Sequence, residues 1–100
     1  MDITVQELKE KMDKGASFVL IDVREPHEHE DFNVGGHLIP LGDIPMKMYD
    51  LEDHQEAEVI VYCRSGRRSA TAQAFMREAG FKNVRNLEGG MLAWEEQFGR

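Results

Sequence analysis

The chain has 100 residues, of which 41% are hydrophobic and 31% are charged, and its formal net charge at pH 7 is −7. This length favours one globular domain, residues 1–100, built around a single core. The acidic balance argues against nucleic acid as a partner, because phosphate binding needs a positive surface. No apolar run reaches the length of a membrane span, and the acidic N-terminus lacks the apolar core of a secretory signal. We therefore expect no membrane partner and a cytoplasmic location.

The first third of the chain predicts a helix, a strand and a second helix. Thr4 and Glu7 have the spacing of a capping box at the start of the first helix, and Gly15 is a natural stop after it. The nearly continuous apolar run Ser17–Val23 is typical of a strand that is buried on both faces. Pro26 suits the first turn of a short polar helix.

The middle of the chain predicts two more strands and two more helices. His37–Pro40 is a candidate for a brief strand, and a short helix is expected to start around Pro45. Glu58–Cys63 has the clearest strand pattern in the sequence. Ser69 is a candidate cap for the following helix, which Gly80 ends.

The C-terminal part predicts a strand and turn over Asn83–Gly90 and a last helix over Met91–Phe98. Strands that alternate with helices pair in parallel through right-handed crossovers. We therefore expect an α/β fold, a three-layer α/β/α sandwich with a central, mainly parallel sheet. Ligands of such sheets bind beyond the carboxyl ends of the strands. Two segments reach that edge, namely Asp22–Arg24 and Cys63.

Cys63 is the only cysteine of the chain, which excludes an intramolecular disulfide, a CxxC pair and a multi-cysteine zinc site. It is either a small buried hydrophobic side chain or a reactive thiol. The charge distribution favours the thiol. Residues 1–58 carry 5 basic and 15 acidic side chains, whereas residues 59–100 carry 7 basic and 4 acidic ones. Three arginines lie within five positions of the cysteine: Arg64, Arg67 and Arg68.

The order of strand, cysteine, loop and helix also favours a reactive Cys63. The backbone N–H groups of residues 64–69 can surround the sulfur, and a helix N-terminus stabilises negative charge. These surroundings lower the pKa of a cysteine and create a binding site for an anion. The predicted site therefore has Cys63 as its nucleophile and one substrate-binding loop, formed by Arg64, Ser65, Gly66, Arg67, Arg68 and Ser69.

Two segments resemble the rhodanese-like domain family. They are LIDVREPHEHEDF, which starts at Leu20, and YCRSGRRSATAQAFMREAGFKNVRNLEGGMLAW, which starts at Tyr62 and ends with a Gly-Gly turn before a tryptophan-bearing helix. The resemblance implies a rhodanese-like fold and a sulfurtransferase. It also implies that Cys63 takes a sulfane sulfur from a small anionic donor such as thiosulfate, or from a persulfide, and carries it as a persulfide.

The resemblance further implies that the loop after the cysteine holds the persulfide, and that Asp22 and Arg24 support the loop or its surroundings. The sulfur acceptor is then an external thiol, cyanide or a protein. Neither a metal nor an organic cofactor is implied, because the cysteine itself carries the sulfur. The segment Phe32–Leu41 is shorter than the usual family pattern, which leaves the donor preference open.

Three alternatives remain open. The protein is a non-catalytic persulfide carrier or sensor that docks a protein partner, or it is a cysteine phosphatase or arsenate reductase. The phosphatase chemistry needs an arginine six positions after the cysteine, where this chain has Ser69. The third alternative is a metal site at His27, His29 and His37. Since no closed ligand set with zinc spacing is present, we interpret the HEHED run as a solvated acidic segment.

Overall fold

Helices and strands alternate along the chain, as the hydrophobic pattern predicts. The computed structural model describes residues 1–100. In chain order the elements are α1 (Val5–Asp13), β1 (Val19–Asp22), α2 (Pro26–Asp31), β2 (His37–Leu38), α3 (Ile44–Lys47), β3 (Glu58–Tyr62), α4 (Arg67–Glu78), β4 (Asn83–Asn86) and α5 (Gly90–Phe98). Short 3₁₀ segments, Leu41–Asp43 and Met48–His54, flank α3. None of the helices has the length and hydrophobicity needed to span a membrane.

The four strands form one fully parallel sheet with the order β2-β1-β3-β4. In this register Asp22 at the end of β1 lies beside Tyr62 at the end of β3. Because the strands are parallel, their carboxyl ends meet at one edge of the sheet. Cys63 and Asn86 therefore lie at the same edge as Arg24, which follows β1.

The two faces of the sheet are covered by different helices, which confirms the α/β class and the three layers. Along β3, Val61 faces a core cluster that α3 and α4 complete, whereas Ile60 and Tyr62 face a second cluster that α1 and α5 complete. This alternation follows from the two-residue period of a strand. Cys63 continues the first face and is only 1% exposed, so the thiol is covered by the fold.

The start of α4 differs from the prediction, because Ser69 is not its cap. The helix begins at Arg67, and its N-cap is Gly66, whose φ of +99° is in the left-handed region that glycine adopts without strain. This turn reverses the chain earlier than a cap at Ser69 would. Ser69 is consequently an interior residue of the first helical turn and is fully buried.

Two N-terminal predictions are also corrected. Thr4 does cap α1, since its hydroxyl accepts a hydrogen bond from the Glu7 N–H at 3.1 Å. The capping box is wrong in its second half, because the Glu7 carboxylate instead accepts from Arg85 at 2.9 Å. The first strand is shorter than the apolar run Ser17–Val23 and covers Val19–Asp22.

The N-terminus of α5 packs directly on the loop after β3. The N–H of Met91 donates to the carbonyl of Cys63 at 2.9 Å, and the N–H of Leu92 donates to the carbonyl of Arg64 at 3.0 Å. Gly90 makes this approach possible. Its φ is +56°, and a Cβ at this position would overlap the carbonyl groups of Cys63 and Arg64.

We expect Gly90→Ala to lower the free energy of unfolding by about 3 kcal/mol, because it combines left-handed backbone strain with steric overlap. Gly15→Ala is the matched control. Its φ is +68°, but nothing lies within 4 Å of the added Cβ, so it should cost only about 1 kcal/mol. Chemical denaturation measures both. An equal loss of the free energy of unfolding in Gly90→Ala and Gly15→Ala would contradict the close approach at Gly90.

Candidate active site

Three donors surround the Cys63 sulfur at the carboxyl edge of the sheet. The N–H of Gly66 lies 3.1 Å from Sγ, the N–H of Ser69 lies at 3.4 Å, and the Ser69 hydroxyl oxygen lies at 3.3 Å. The amides point at the sulfur because the chain turns sharply at Gly66 and enters α4 at once. The loop therefore forms the ring of donors that the sequence predicts.

These contacts determine the acidity of the Cys63 thiol. Burial raises its pKa, but hydrogen bonds from the Ser69 hydroxyl and from backbone N–H groups lower it more, so the pKa lies below its ordinary value. The backbone donors are those of Ser69, Gly66 and Ser65. The site thus favours the thiolate, which is the nucleophilic form of cysteine.

The three arginines of the loop have different surroundings. Arg64 and Arg67 are exposed, and neither guanidinium has a hydrogen-bond or salt-bridge partner. Arg68 instead forms a bidentate pair with Glu28 of α2, with distances of 2.7 and 2.9 Å. Two of the three predicted anion-binding side chains are therefore free to meet a ligand, whereas Arg68 ties α4 to α2.

The HEHED run is not simply a solvated segment. Glu28 binds Arg68, and Nδ1 of His29 lies 2.8 Å from the carboxylate of Asp22. The interpretation as a solvated run is wrong for these two residues. A local sequence pattern predicts neither contact. The partner of Glu28 is 40 residues away in sequence, and the partner of His29 is 7 residues away. His27 and His37 are exposed, and no group of three His, Cys, Asp or Glu side chains is placed to hold a metal ion.

Asp22 and Arg24 form a buried pair at the end of β1. The Arg24 guanidinium donates to Asp22 at 2.8–3.2 Å and to the carbonyl of Phe32 at 2.6 Å. It also lies over the ring of Tyr62. The pair therefore fastens α2 and the segment after it to the sheet. It makes no hydrogen bond to the cysteine loop.

Asn86 is a site residue that the sequence analysis does not identify. Its Nδ2 donates to the carbonyl of Gly66 at 2.9 Å, and its Oδ1 accepts from the Ser69 hydroxyl at 2.5 Å. Asn86 ends β4, which pairs with β3, so its side chain lies next to the loop. The sequence could have identified Asn86 through one rule, namely that the carboxyl ends of neighbouring parallel strands meet at one edge of the sheet.

A cavity of about 140 Å³ opens beside the loop, next to Arg64 and the first turn of α5. Its other charged lining residues are already in ion pairs: Arg24, Glu28, Asp31, Glu95 and Arg100. Arg64 is the one charged lining residue without a partner. The lining as a whole is balanced, with three basic and three acidic side chains, so what it offers an anion is the unpaired guanidinium of Arg64, one residue from Cys63 in sequence.

Comparisons with known proteins agree with this architecture. The model of the rhodanese-like domain family matches residues 4–97. A protein of Bacillus subtilis named "Putative sulfurtransferase YtwF" is 42% identical over 95 residues, which cover 94% of this chain and 89% of that protein. From the same organism, "Putative sulfur carrier protein YrkF" is 37% identical over 93% of this chain and 50% of its own length. The crystal structure of a rhodanese-like domain protein from Staphylococcus aureus has a TM-score of 0.80 and 31% identity, over 94% of this chain and 91% of that one.

The chain belongs to the rhodanese-like domain family. Its relatives include sulfurtransferases, and they support sulfur transfer as the general activity. The chain spans half or less of several longer relatives, among them the sulfur carrier protein.

The Glu28–Arg68 pair predicts a specific pH dependence of stability. Because the side chain of Arg68 holds the pKa of Glu28 at about 2, against an ordinary value of 4.5, the pair stabilises the fold fully above pH 4.5. That contribution is lost as the pH falls from 4.5 towards 2. We expect Glu28→Gln to lower the free energy of unfolding by about 1–2 kcal/mol at pH 7 and by almost nothing near pH 2.

Denaturant titrations across this pH range measure the difference. Glu30→Gln is the control, since it removes the same charge from an exposed position of α2 that has no hydrogen-bond or salt-bridge partner. A difference between wild type and Glu28→Gln that stays constant with pH would rule out a charged pair as its cause.

Proposed function

We propose that this protein is a sulfurtransferase that moves a sulfane sulfur from thiosulfate or a persulfide donor to a thiophilic acceptor, with Cys63 as the nucleophile. The observation that carries the proposal is the buried Cys63 sulfur with two N–H donors and one hydroxyl around it. Such a site stabilises a thiolate without a neighbouring base.

In the first step the Cys63 thiolate attacks the outer sulfur of thiosulfate. A new sulfur–sulfur bond forms, the original sulfur–sulfur bond breaks, and its electron pair leaves with sulfite. Cys63 is left as a persulfide anion, so the total charge is unchanged. The negative charge moves outward by one atom, and the inward-pointing amides of the loop remain close to it.

In the second step an acceptor attacks the outer sulfur of the persulfide. With cyanide the products are thiocyanate and the Cys63 thiolate, and with a thiolate they are a new persulfide and the Cys63 thiolate. The chain has no second cysteine that could resolve the persulfide. The acceptor is therefore a separate molecule, and no metal or organic cofactor enters the scheme.

Arg64 and Arg67 are the residues proposed to attract the anionic donor. Both are exposed and unpaired, and Arg64 also lines the cavity beside the loop. Charge-assisted hydrogen bonds from a guanidinium suit the oxygen atoms of thiosulfate. Arg68 has a different role in the proposal, since its pair with Glu28 holds the first turn of α4 in place.

A second candidate is a persulfide carrier that docks one protein partner. It is favoured by the similarity to a protein named as a sulfur carrier. Both functions need the same persulfide, so they differ in the acceptor step. Rapid multiple turnover with cyanide or a small thiol supports the enzyme, whereas transfer to one protein alone supports the carrier.

Intact-mass measurement tests the persulfide directly. After treatment with thiosulfate, the wild-type protein should gain one sulfur atom and lose it again on addition of cyanide. Cys63→Ser should gain none and should form no thiocyanate, because it lacks the nucleophilic thiolate. The circular dichroism spectrum of the variant should match that of wild type, since serine is close to cysteine in size. Sulfur bound to Cys63→Ser, or none on wild type with either thiosulfate or a persulfide donor, would overturn the proposed mechanism.

Removal of one unpaired charge should weaken donor binding. We expect Arg64→Gln or Arg67→Gln to raise the KM for thiosulfate about threefold to tenfold, with a smaller change in kcat, because an exposed charge contributes about 1 kcal/mol. Lys82→Gln is the control. It removes one positive charge from an exposed position immediately before β4, at the opposite edge of the sheet. A KM that rises equally in all three variants would indicate an effect of the overall charge of the protein and would refute a local role for the loop arginines.

A further inference from the structure

The Ser69 hydroxyl lies between two acceptors but has only one proton to donate. Its oxygen is 2.5 Å from Oδ1 of Asn86 and 3.3 Å from Sγ of Cys63. A hydroxyl can donate one hydrogen bond and accept others. Ser69 therefore cannot donate to the Asn86 amide and to the Cys63 sulfur at the same time.

Asn86 cannot turn its acceptor away from Ser69. Its Nδ2 donates to the carbonyl of Gly66, which fixes Oδ1 on the other side of the amide, facing the hydroxyl. Its backbone is held as well, because its N–H donates to the Asp2 carboxylate at 3.1 Å and its carbonyl accepts from Ile3 at 3.0 Å. The residue is 8% exposed, so water is a poor substitute for any of these partners.

The competition depends on the charge of the sulfur. When Cys63 is a neutral thiol, its S–H can donate to the Ser69 oxygen while Ser69 donates to Asn86, and every group is satisfied. When Cys63 is a thiolate, donation from Ser69 to the sulfur leaves the buried Oδ1 of Asn86 without a donor. An unmade hydrogen bond at a buried acceptor is costly, so Asn86 opposes the thiolate.

We propose that Asn86 is a positioning residue. It competes with the Cys63 sulfur for the hydrogen bond that the Ser69 hydroxyl donates, and it thereby sets the basicity of the nucleophile. The effect of this competition on turnover rests on the proposed sulfur transfer. When the thiolate attacks a donor, Sγ loses its negative charge and no longer needs the hydroxyl. The Ser69 hydroxyl can then donate its hydrogen bond to Oδ1 of Asn86, so the attack does not leave a buried donor without an acceptor.

The side chain of Asn86 makes no hydrogen bond to a charged side chain, since its two partners are the Ser69 hydroxyl and the Gly66 carbonyl. On α4, Arg67 is exposed, and Arg68 acts on Cys63 through its charge while it is paired with Glu28 of α2. From the N-terminal segment, Asp2 binds the backbone N–H of Asn86 rather than its side chain. The first turn of α5 contributes no charged residue. Replacement of the Asn86 side chain therefore removes no charged contact of the sulfur, but it removes the hydrogen bond to the Gly66 carbonyl together with the acceptor for Ser69.

The rate of Cys63 alkylation by iodoacetamide, measured against pH, tests the proposal in four proteins: wild type, Asn86→Ala, Ser69→Ala and the double variant. In Asn86→Ala the hydroxyl is free to serve the sulfur, and the pKa of Cys63 should fall by about 0.5–1 unit. The rate at high pH should fall about twofold, because a less basic thiolate is less nucleophilic. Ser69→Ala should raise the pKa of Cys63.

The double variant separates this coupling from a merely structural role. In the Ser69→Ala background, Asn86→Ala should not lower the pKa of Cys63, because the hydroxyl donor for which Asn86 and the sulfur compete is gone. If Asn86 only holds the loop, its loss disperses the amides and raises the pKa of Cys63 in both backgrounds, which would overturn the proposal. An unchanged pKa in Asn86→Ala would also overturn it. Should Asn86→Ala fail to fold, Asn86→Leu fills the same volume without a polar atom and replaces it in the series.

Alkylation does not require sulfur transfer, so the two proposals fail separately. If the protein shows this coupling but forms no persulfide with thiosulfate or a persulfide donor, the inference stands and the proposed function is wrong. If the protein forms the persulfide but shows no coupling, the proposed function stands and the inference is wrong.

Discussion

The buried sulfur of Cys63 is the constraint on which the site depends. A thiolate with 1% exposure is stable only if the protein replaces its lost water with hydrogen-bond donors. The nearest donors are the N–H groups of the following residues, and they reach the sulfur only if the chain turns immediately. This requirement explains why Gly66 is left-handed and why α4 begins at Arg67. It also explains why the hydroxyl of Ser69, which the sequence suggests as a cap, lies between the sulfur and Asn86 instead.

A turn this tight is held from several sides. The first turn of α5 donates to the carbonyl groups of Cys63 and Arg64, Asn86 donates to the carbonyl of Gly66, and Glu28 binds Arg68. These partners come from α5, β4 and α2, so the parallel sheet serves mainly to bring separate segments to one edge. The same arrangement divides the arginines into one that is committed to structure and two that remain available to an anion.

Local patterns in the sequence predicted the parts of this arrangement that depend on neighbouring residues. The apolar runs of β1 and β3, the parallel sheet and the amide ring around Cys63 all follow from short segments. The contacts of Asn86, Glu28 and His29 do not, because each joins residues that are 7 to 40 positions apart through a single side chain. Ser69 marks the boundary between the two cases, since a serine near a helix start suits a cap and an inward contact equally well. The left-handed turn at Gly66 decides between them.

Burial of the sulfur also bears on which atom of a persulfide an acceptor can reach. Attack on the outer sulfur transfers it and regenerates the Cys63 thiolate, whereas attack on Sγ would form a mixed disulfide and release hydrosulfide. Sγ lies under the loop amides and the Ser69 hydroxyl and is 1% exposed, and in a persulfide the outer sulfur would stand between Sγ and an incoming acceptor. Under the proposed function, the fold therefore directs an acceptor to the atom that is to be transferred. The donors that stabilise the thiolate are the same groups that shield Sγ from the unproductive reaction.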